Sequence, residues 1–182
     1  MTGADVTTAQ ASKVFRNPVL RFEGDSVAPP EAVYDLLADL QSHLTWAGER
    51  QGDATRLLSL DAPTGPARVG TEFRSTGSDG SSARWSDRSV VTEATRPHVF
   101  EFVTEGRRAG KQGKPPWLLT AIHRYQLAPM DGGCRVTYTQ DITRLEGAPW
   151  ILTTRGINRA VFRISAKYMR RGFDALLSMT NG

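Results

Sequence analysis

From Thr55 to Arg144 the chain carries no helical periodicity of useful length, and nothing else in the sequence constrains its fold as strongly. Apolar and polar residues alternate there in short runs bounded by Gly, Pro, Asp or Ser, the pattern of half-buried antiparallel strands. Six strands fit: Arg56 to Leu60, Val69 to Thr76, Ala83 to Thr95, Val99 to Glu105, Leu118 to Leu127 and Arg135 to Thr143. Turn chemistry separates them at Gly77 to Ser82, Arg96-Pro97-His98, a long Gly106 to Pro116 loop, and Met130-Asp131-Gly132-Gly133. The region reads as a meander of hairpins.

Helices are confined to the two ends. Met1 to Lys13 is small and polar and reads as a disordered lead, leaving 14–182 as one domain. A first strand runs from Val14 to Val27, with Leu20, Phe22, Gly24 and Ser26 on one face, and stops at Pro29-Pro30. That pair opens a helix: Pro is tolerated in a first turn, Glu31 suits the positive end of the dipole, and Val33, Leu36, Leu37 and Leu40 follow at helical spacing. A second short helix is expected from Asp39 to about Leu44, ending near Trp46. The chain closes with an amphipathic helix opened by Gly147-Ala148-Pro149, about 30 residues and over 40 Å long at 1.5 Å per residue. Arg159, Arg163, Lys167, Arg170, Arg171 and Asp174 share its polar arc, while Val161, Phe162, Ile164, Tyr168, Met169, Phe173, Leu176 and Met179 share the opposite one.

Composition narrows the class. The 182 residues are 39% hydrophobic and 23% charged, globular values, and fit a single domain at roughly 100 to 200 residues per domain. No apolar run approaches a membrane span, no signal peptide is evident, and the single Cys134 excludes an internal disulfide, so a cytoplasmic location is expected. The net charge of +4 is uneven: the stretch from Ile151 to Gly182 carries +5 and the rest -1. Zinc-ligand spacing, RNA-binding aromatic signatures and basic heptads are all missing, so neither a metal, a cofactor nor a nucleic-acid partner is expected.

The order of one strand, two short helices, six antiparallel strands and a long closing helix resembles the START-like (SRPBCC, helix-grip) superfamily, in its polyketide cyclase/dehydrase and lipid-transport branch. The likeness is carried by Ala28-Pro29-Pro30-Glu31-Ala32-Val33-Tyr34-Asp35-Leu36-Leu37-Ala38-Asp39, Trp46, Val69-Gly70-Thr71-Glu72-Phe73, Val91-Thr92-Glu93, Arg96-Pro97, Tyr125-Gln126-Leu127, Gly132-Gly133 and Val136-Thr137-Tyr138. It covers roughly residues 14 to 180. The resemblance implies an α+β helix-grip fold, in which a seven-stranded curved antiparallel sheet grips the C-terminal helix around a cavity for a hydrophobic small molecule. It supplies no universal catalytic set. It also implies a cavity mouth formed by Gly77 to Ser82, Gly106 to Pro116 and Arg144 to Pro149. Arg107, Arg108, Lys111 and Lys114 would then stand beside the opening, where they suit an acidic ligand head group or transient contact with an anionic membrane surface.

Candidate site residues follow from strand faces. His123 shares the more apolar face of its strand with Leu119, Ala121, Tyr125 and Leu127, and reads either as an acid or base within the cavity or as a buried, hydrogen-bonded histidine. Neither His43 nor His98 has partners at metal spacing. Tyr138 and Gln140 line the cavity if their strand runs unbroken, and face away if a one-residue bulge intervenes; Asp87, Ser89 and Glu93 carry the same ambiguity. Trp46, Phe73, Trp85, Phe100, Phe102, Trp117 and Phe162 are the aromatic lining candidates, and Met169 lies on the same helix arc.

On the closing helix Asn158, Ser165 and Gly172 are spaced by heptads and form one stripe at the centre of the apolar arc. Small residues there mean either space for a ligand or close approach of helix and sheet. The leading expectation is a binder of a lipid, polyketide or similar apolar molecule. The alternative is a cyclase or dehydratase using His123, Tyr125 or Tyr138 as acid or base.

Overall fold

The computed structural model describes residues 19–49, 56–78, 84–108, 116–148 and 154–181, without the side chains of 49, 155–162 and 164. The expected lead, 1–13, lies outside the described residues. Strand β1 (Leu20–Ser26) leads into α1 (Pro30–Ala38), a 3₁₀ turn (Leu40–Ser42) and a π-helical turn (Thr45–Glu49). Then come β2 (Arg56–Asp61), β3 (Glu72–Ser78), β4 (Arg84–Thr95), β5 (Val99–Arg108), β6 (Trp117–Met130) and β7 (Gly133–Glu146), followed by α2 (Arg155–Thr180). All seven strands form one antiparallel sheet in the order β1-β7-β6-β5-β4-β3-β2.

Several boundaries correct the sequence reading. Val69-Gly70-Thr71 is a turn, with Gly70 N–H donating to Val91 O at 2.8 Å and Thr71 N–H to Arg68 O at 2.9 Å, so β3 begins only at Glu72. The expected Gly106 to Pro116 loop is shorter: Gly106, Arg107 and Arg108 extend β5, and Trp117 opens β6, paired with Arg108. β7 likewise runs on through Arg144 to Glu146. The second helix is not one α-helix but a 3₁₀ turn and a π-helical turn, reaching five residues further than expected to Glu49.

Two bulges settle which side chains face inward. In β7 the register passes from Ala121↔Ile142 to Thr120↔Arg144, leaving Thr143 as the extra residue. It lies beyond Tyr138 and Gln140, which therefore keep the inward phase of Cys134 and Val136. In β4 the step from Val91↔Phe102 to Glu93↔Glu101 makes Thr92 the extra residue. Asp87 and Ser89 face inward, but Glu93 does not share their face: it points outward, where Arg124 Nη1 donates to it at 2.6 Å and to Glu101 at 2.7 Å.

α1 buries Val33, Tyr34 and Leu37, with Tyr34 edge-on to Phe100 at 5.9 Å. A bidentate Arg96–Asp35 pair at 2.8 and 2.9 Å ties it to the β4–β5 turn. α2 rests chiefly on β1 and the π-helical turn. Its C-terminal end is fastened to the end of β1: Ser26 Oγ donates to Thr180 Oγ1 at 2.8 Å, and Val27 N–H to Asn181 Oδ1 at 2.9 Å. The polar arc is exposed as expected at Arg163, Lys167, Arg170, Arg171 and Asp174, while Phe173, Leu176 and Leu177 are buried.

The close approach of helix and sheet lies at a strand glycine. A side chain at Gly24 would collide with Leu177 and come within 3.2 Å of Phe173 Cε1. Gly24→Val is expected to cost about 1 to 3 kcal/mol in urea unfolding, with part of the loss recovered by adding Leu177→Ala. An unchanged midpoint for the single variant would contradict this contact.

Candidate functional site

The C-terminal part of α2 is fastened along β1, and among the described residues an interior cavity of about 170 Å³ remains over the concave face. Its floor is built by the inward positions of successive strands: Leu57 and Leu60 of β2, Phe73 and Ser75 of β3, Trp85, Asp87 and Ser89 of β4, Phe102 and Thr104 of β5, His123 and Tyr125 of β6, and Tyr138 of β7. The π-helical segment contributes His43, Trp46 and Ala47, and α2 contributes Met169, Gly172 and Phe173. A larger depression of about 510 Å³ lies over β2–β5, bordered by outward-facing groups such as Arg74, Arg88, Glu105 and Arg107, but it is open and mixed in charge. The interior cavity is the better site, because it lies on the concave face and combines apolar and aromatic walls with a few polar groups.

Aromatic contacts define one part of the interior. Phe102 stacks on His123 with centroids 4.7 Å apart and planes 11° apart, Tyr125 lies 4.7 Å from Tyr138, and His43 lies 4.6 Å from Trp46. Trp85 lies across Gly77, where any side chain would overlap its ring. Polar groups are interleaved. His123 Nδ1 and the Tyr138 hydroxyl share a 2.8 Å hydrogen bond, Ser89 and Thr104 share another of 2.8 Å, and Ser75 Oγ donates to Asp87 Oδ1. His43 Nε2–H donates to Leu37 O at 2.9 Å. The indole N–H of Trp46, only 6% exposed, has no hydrogen-bond partner among the described residues.

Burial sets the protonation states. It pushes His43 and His123 down from 6.5 to about 4, the second helped by the first, so both rings are neutral at pH 7. It also raises Tyr125 and Tyr138, which stay protonated and can donate. Asp87 moves the other way from the histidines: burial lifts its carboxyl from 3.8 to about 6, against the opposing hydrogen bonds from Ser75. This arrangement can hold an apolar body, accept a hydrogen bond at a neutral imidazole or a carboxylate, and donate one from a phenol or an indole.

Of the residues expected to line the cavity, Trp46, Phe73, Trp85, Phe102, His123, Tyr125, Tyr138 and Met169 do so. Phe100 is fully buried beneath Tyr34 and is core. Trp117 lies at the far end of β6 under the Arg108 guanidinium, 5.0 Å from its centroid. Gln140 faces inward but pairs with Leu20 and His123 outside the lining. Ser165 is exposed while Ala166 and Met169 are partly buried, so among the described residues the proposed stripe reaches the cavity at Gly172 and not at Ser165. The side chains of Asn158 and Phe162 lie outside the described residues, as do Lys111 and Lys114. Arg107 points to the outer face and so does not flank the cavity.

His43, Ser75 and Thr104 are absent from the expected lining, and Asp87 and Ser89 stand there only as an open alternative. For the strand residues the signal was present: Ser75 follows Phe73, Asp87 and Ser89 follow Trp85, and Thr104 follows Phe102, each at a spacing of two. Among the described residues no group of three His, Cys, Asp or Glu side chains is placed to hold a metal ion, and no helix is long and apolar enough to cross a membrane.

No family model matches the chain, and no curated protein matches it in sequence. Solved structures do match. A conserved protein from Geobacillus kaustophilus superposes with a TM-score of 0.65 at 14% identity, over 90% of this chain and 95% of that one. Protein CV1439 from Chromobacterium violaceum gives 0.61 at 15% identity, over 90% and 97%. Ara h 8.0201, a Bet v 1-like member of the START fold, gives 0.56 at 16%, again over 90% and 97%. Likeness at this identity defines the fold class: a helix-grip α+β protein, with a curved seven-stranded sheet and a long C-terminal helix.

The shifted carboxyl has a measurable consequence. Asp87 titrates near 6 in the folded chain and near 4 in the unfolded one, so its contribution to stability is fully present below about pH 4 and is lost as pH rises through 6. Asp87→Asn is therefore expected to be more stable than the parent by about 1 to 2 kcal/mol at pH 8, a figure reduced for its partial exposure, with the difference vanishing near pH 4. Urea midpoints at the two pH values check this, and a gain independent of pH would contradict it.

Proposed function

We propose that the chain binds a small, largely apolar molecule, about one aromatic ring in size, in the cavity between the sheet and α2. The carrying observation is an interior cavity of about 170 Å³ on the concave face, half of whose lining side chains are rings, with the unpartnered indole N–H of Trp46 buried in its wall. A buried donor left unpaired costs about 1 to 3 kcal/mol, which favours a small readjustment of that ring toward a ligand oxygen or nitrogen. The volume supports a compact ligand or ring portion, since an apolar cavity of about 150 Å³ is enough to hold benzene. Within the lipid and polyketide classes, this favours a ring-bearing molecule with a hydroxyl or carbonyl over an extended acyl chain.

The His123–Tyr138 hydrogen bond favours a second reading, an enzyme of the cyclase or dehydratase type. Neutral His123 would accept a proton while Tyr125 or Tyr138 donates one to a carbonyl oxygen. A bound ketone recovered unchanged after prolonged incubation would exclude turnover of that ketone.

Benzyl alcohol is a suitable first probe. In a titration followed by NMR it is expected to shift the Trp46 indole N–H and the His123 ring signals. Gly172→Leu, which adds a side chain at the α2 wall and improves helix propensity, is expected to weaken it about tenfold or more in a folded protein. Absence of any shift at millimolar probe would overturn the proposal.

A further inference from the structure

The lining of the cavity is unbalanced in charge. Among the described residues Asp87 is the one carboxylate facing it, and no Lys or Arg side chain lines it. The two lining histidines are neutral at pH 7 because burial suppresses their charged form. Asp87 and Ser75 also reach the open depression bordered by Arg74, Arg88 and Arg107, but the carboxyl bonds Ser75 and none of these arginines. Arg74 and Arg88 pair in register on the outer face, where Arg88 bonds Glu72, and Arg107 shares that face. Arg108, inward in phase and beyond Gly106, holds its guanidinium over the Trp117 ring.

Asp87 stands opposite Gly106 of β5, where an added Cβ would touch Leu119 Cδ2 at 3.4 Å and lie 3.9 Å from Asp87 Cβ. Around the carboxyl group lie hydroxyls: Ser75 directly across on β3 and bonded to Asp87, and the Ser89–Thr104 pair two residues along β4. Trp85, two residues the other way on the same face, presents an indole.

We propose that Asp87, with Ser75, forms an amine-recognising subsite, so that the preferred ligand joins an apolar ring to a protonated nitrogen. A buried carboxylate without a cation is costly, and an ammonium group removes the cost while an anionic ligand would increase it. The hydroxyls of Ser89 and Thr104 offer acceptors for the remaining N–H groups, and the Trp85 ring offers a face to the same cation. This inference rests on the cavity being a ligand site and adds the chemical class of the ligand.

Three probes sharing one ring separate the possibilities: benzylamine, benzyl alcohol and benzoate, titrated calorimetrically at pH 7.5. Benzylamine is expected to bind at least about tenfold tighter than benzyl alcohol, and benzoate weakest. In Asp87→Asn the ratio of amine to alcohol affinity should fall to about one. Between pH 7.5 and 5 the amine affinity should fall about tenfold as Asp87 takes up a proton, with His43 and His123 neutral throughout and the alcohol unaffected. Equal binding of amine and alcohol by the parent, or a preference that survives Asp87→Asn, overturns the subsite while leaving the cavity reading intact. Failure of all three probes to bind overturns both.

Discussion

The seating of α2 along a single edge strand is the constraint from which the interior follows. Gly24 lets the helix descend onto β1, where Leu177 and Phe173 fill the space a side chain would occupy. The Ser26–Thr180 and Val27–Asn181 hydrogen bonds then fix the helix end against that edge. β1 lies at one margin of the sheet and β2 at the other. The described side chains of a helix held at this margin leave part of the concavity toward the opposite margin open. The π-helical turn bridges part of it with Trp46 and His43, and what remains is cavity, walled by a mixture of aromatics and short polar groups.

That mixture explains the titration behaviour. Each hydroxyl on the β3–β5 floor has a cross-strand partner, as Ser75 has in Asp87 and Ser89 in Thr104, so the floor is polar without leaving those groups unpaired. Ionisable groups fare differently, because a single hydroxyl donor does not replace the hydration of a charge. The histidines respond by staying neutral and the carboxyl by holding its proton to higher pH. The cavity can therefore shelter a hydrogen-bonding ligand, yet carries one group whose charge changes close to neutrality.

Much of the architecture was legible because strand alternation and helical periodicity have different periods, and the chain switches between them once on each side of the meander. Depth along a strand was not legible. Phe100 and Phe102 share a face, but α1 covers the first and leaves the second to the cavity, and nothing in a period of two distinguishes them. His43 was passed over for a related reason: its role depends on a π-helical turn that swings it against Trp46, a local geometry without a composition signature. Ser165 failed because helical phase places a residue on a face without saying whether anything lies opposite it.

The bulges were the least readable features and had the largest consequences. Thr92 and Thr143 are β-branched residues of the kind any strand contains, and neither Gly nor Pro marks them. Were the pairing regular through Thr92, with no bulge, Glu93 would continue the inward phase of Asp87, Ser89 and Val91, bringing a second carboxylate to the concave face. With it, Ala94 opposes Phe100 in the core beneath α1, and Glu93 joins Arg124 and Glu101 in an ion-paired triad on the outer face. Two like charges in one low-dielectric space would raise each other's pKa and favour protonation of at least one. By diverting Glu93, the bulge leaves Asp87 as the single carboxylate among the described lining residues, which makes the charge of the cavity depend on one group.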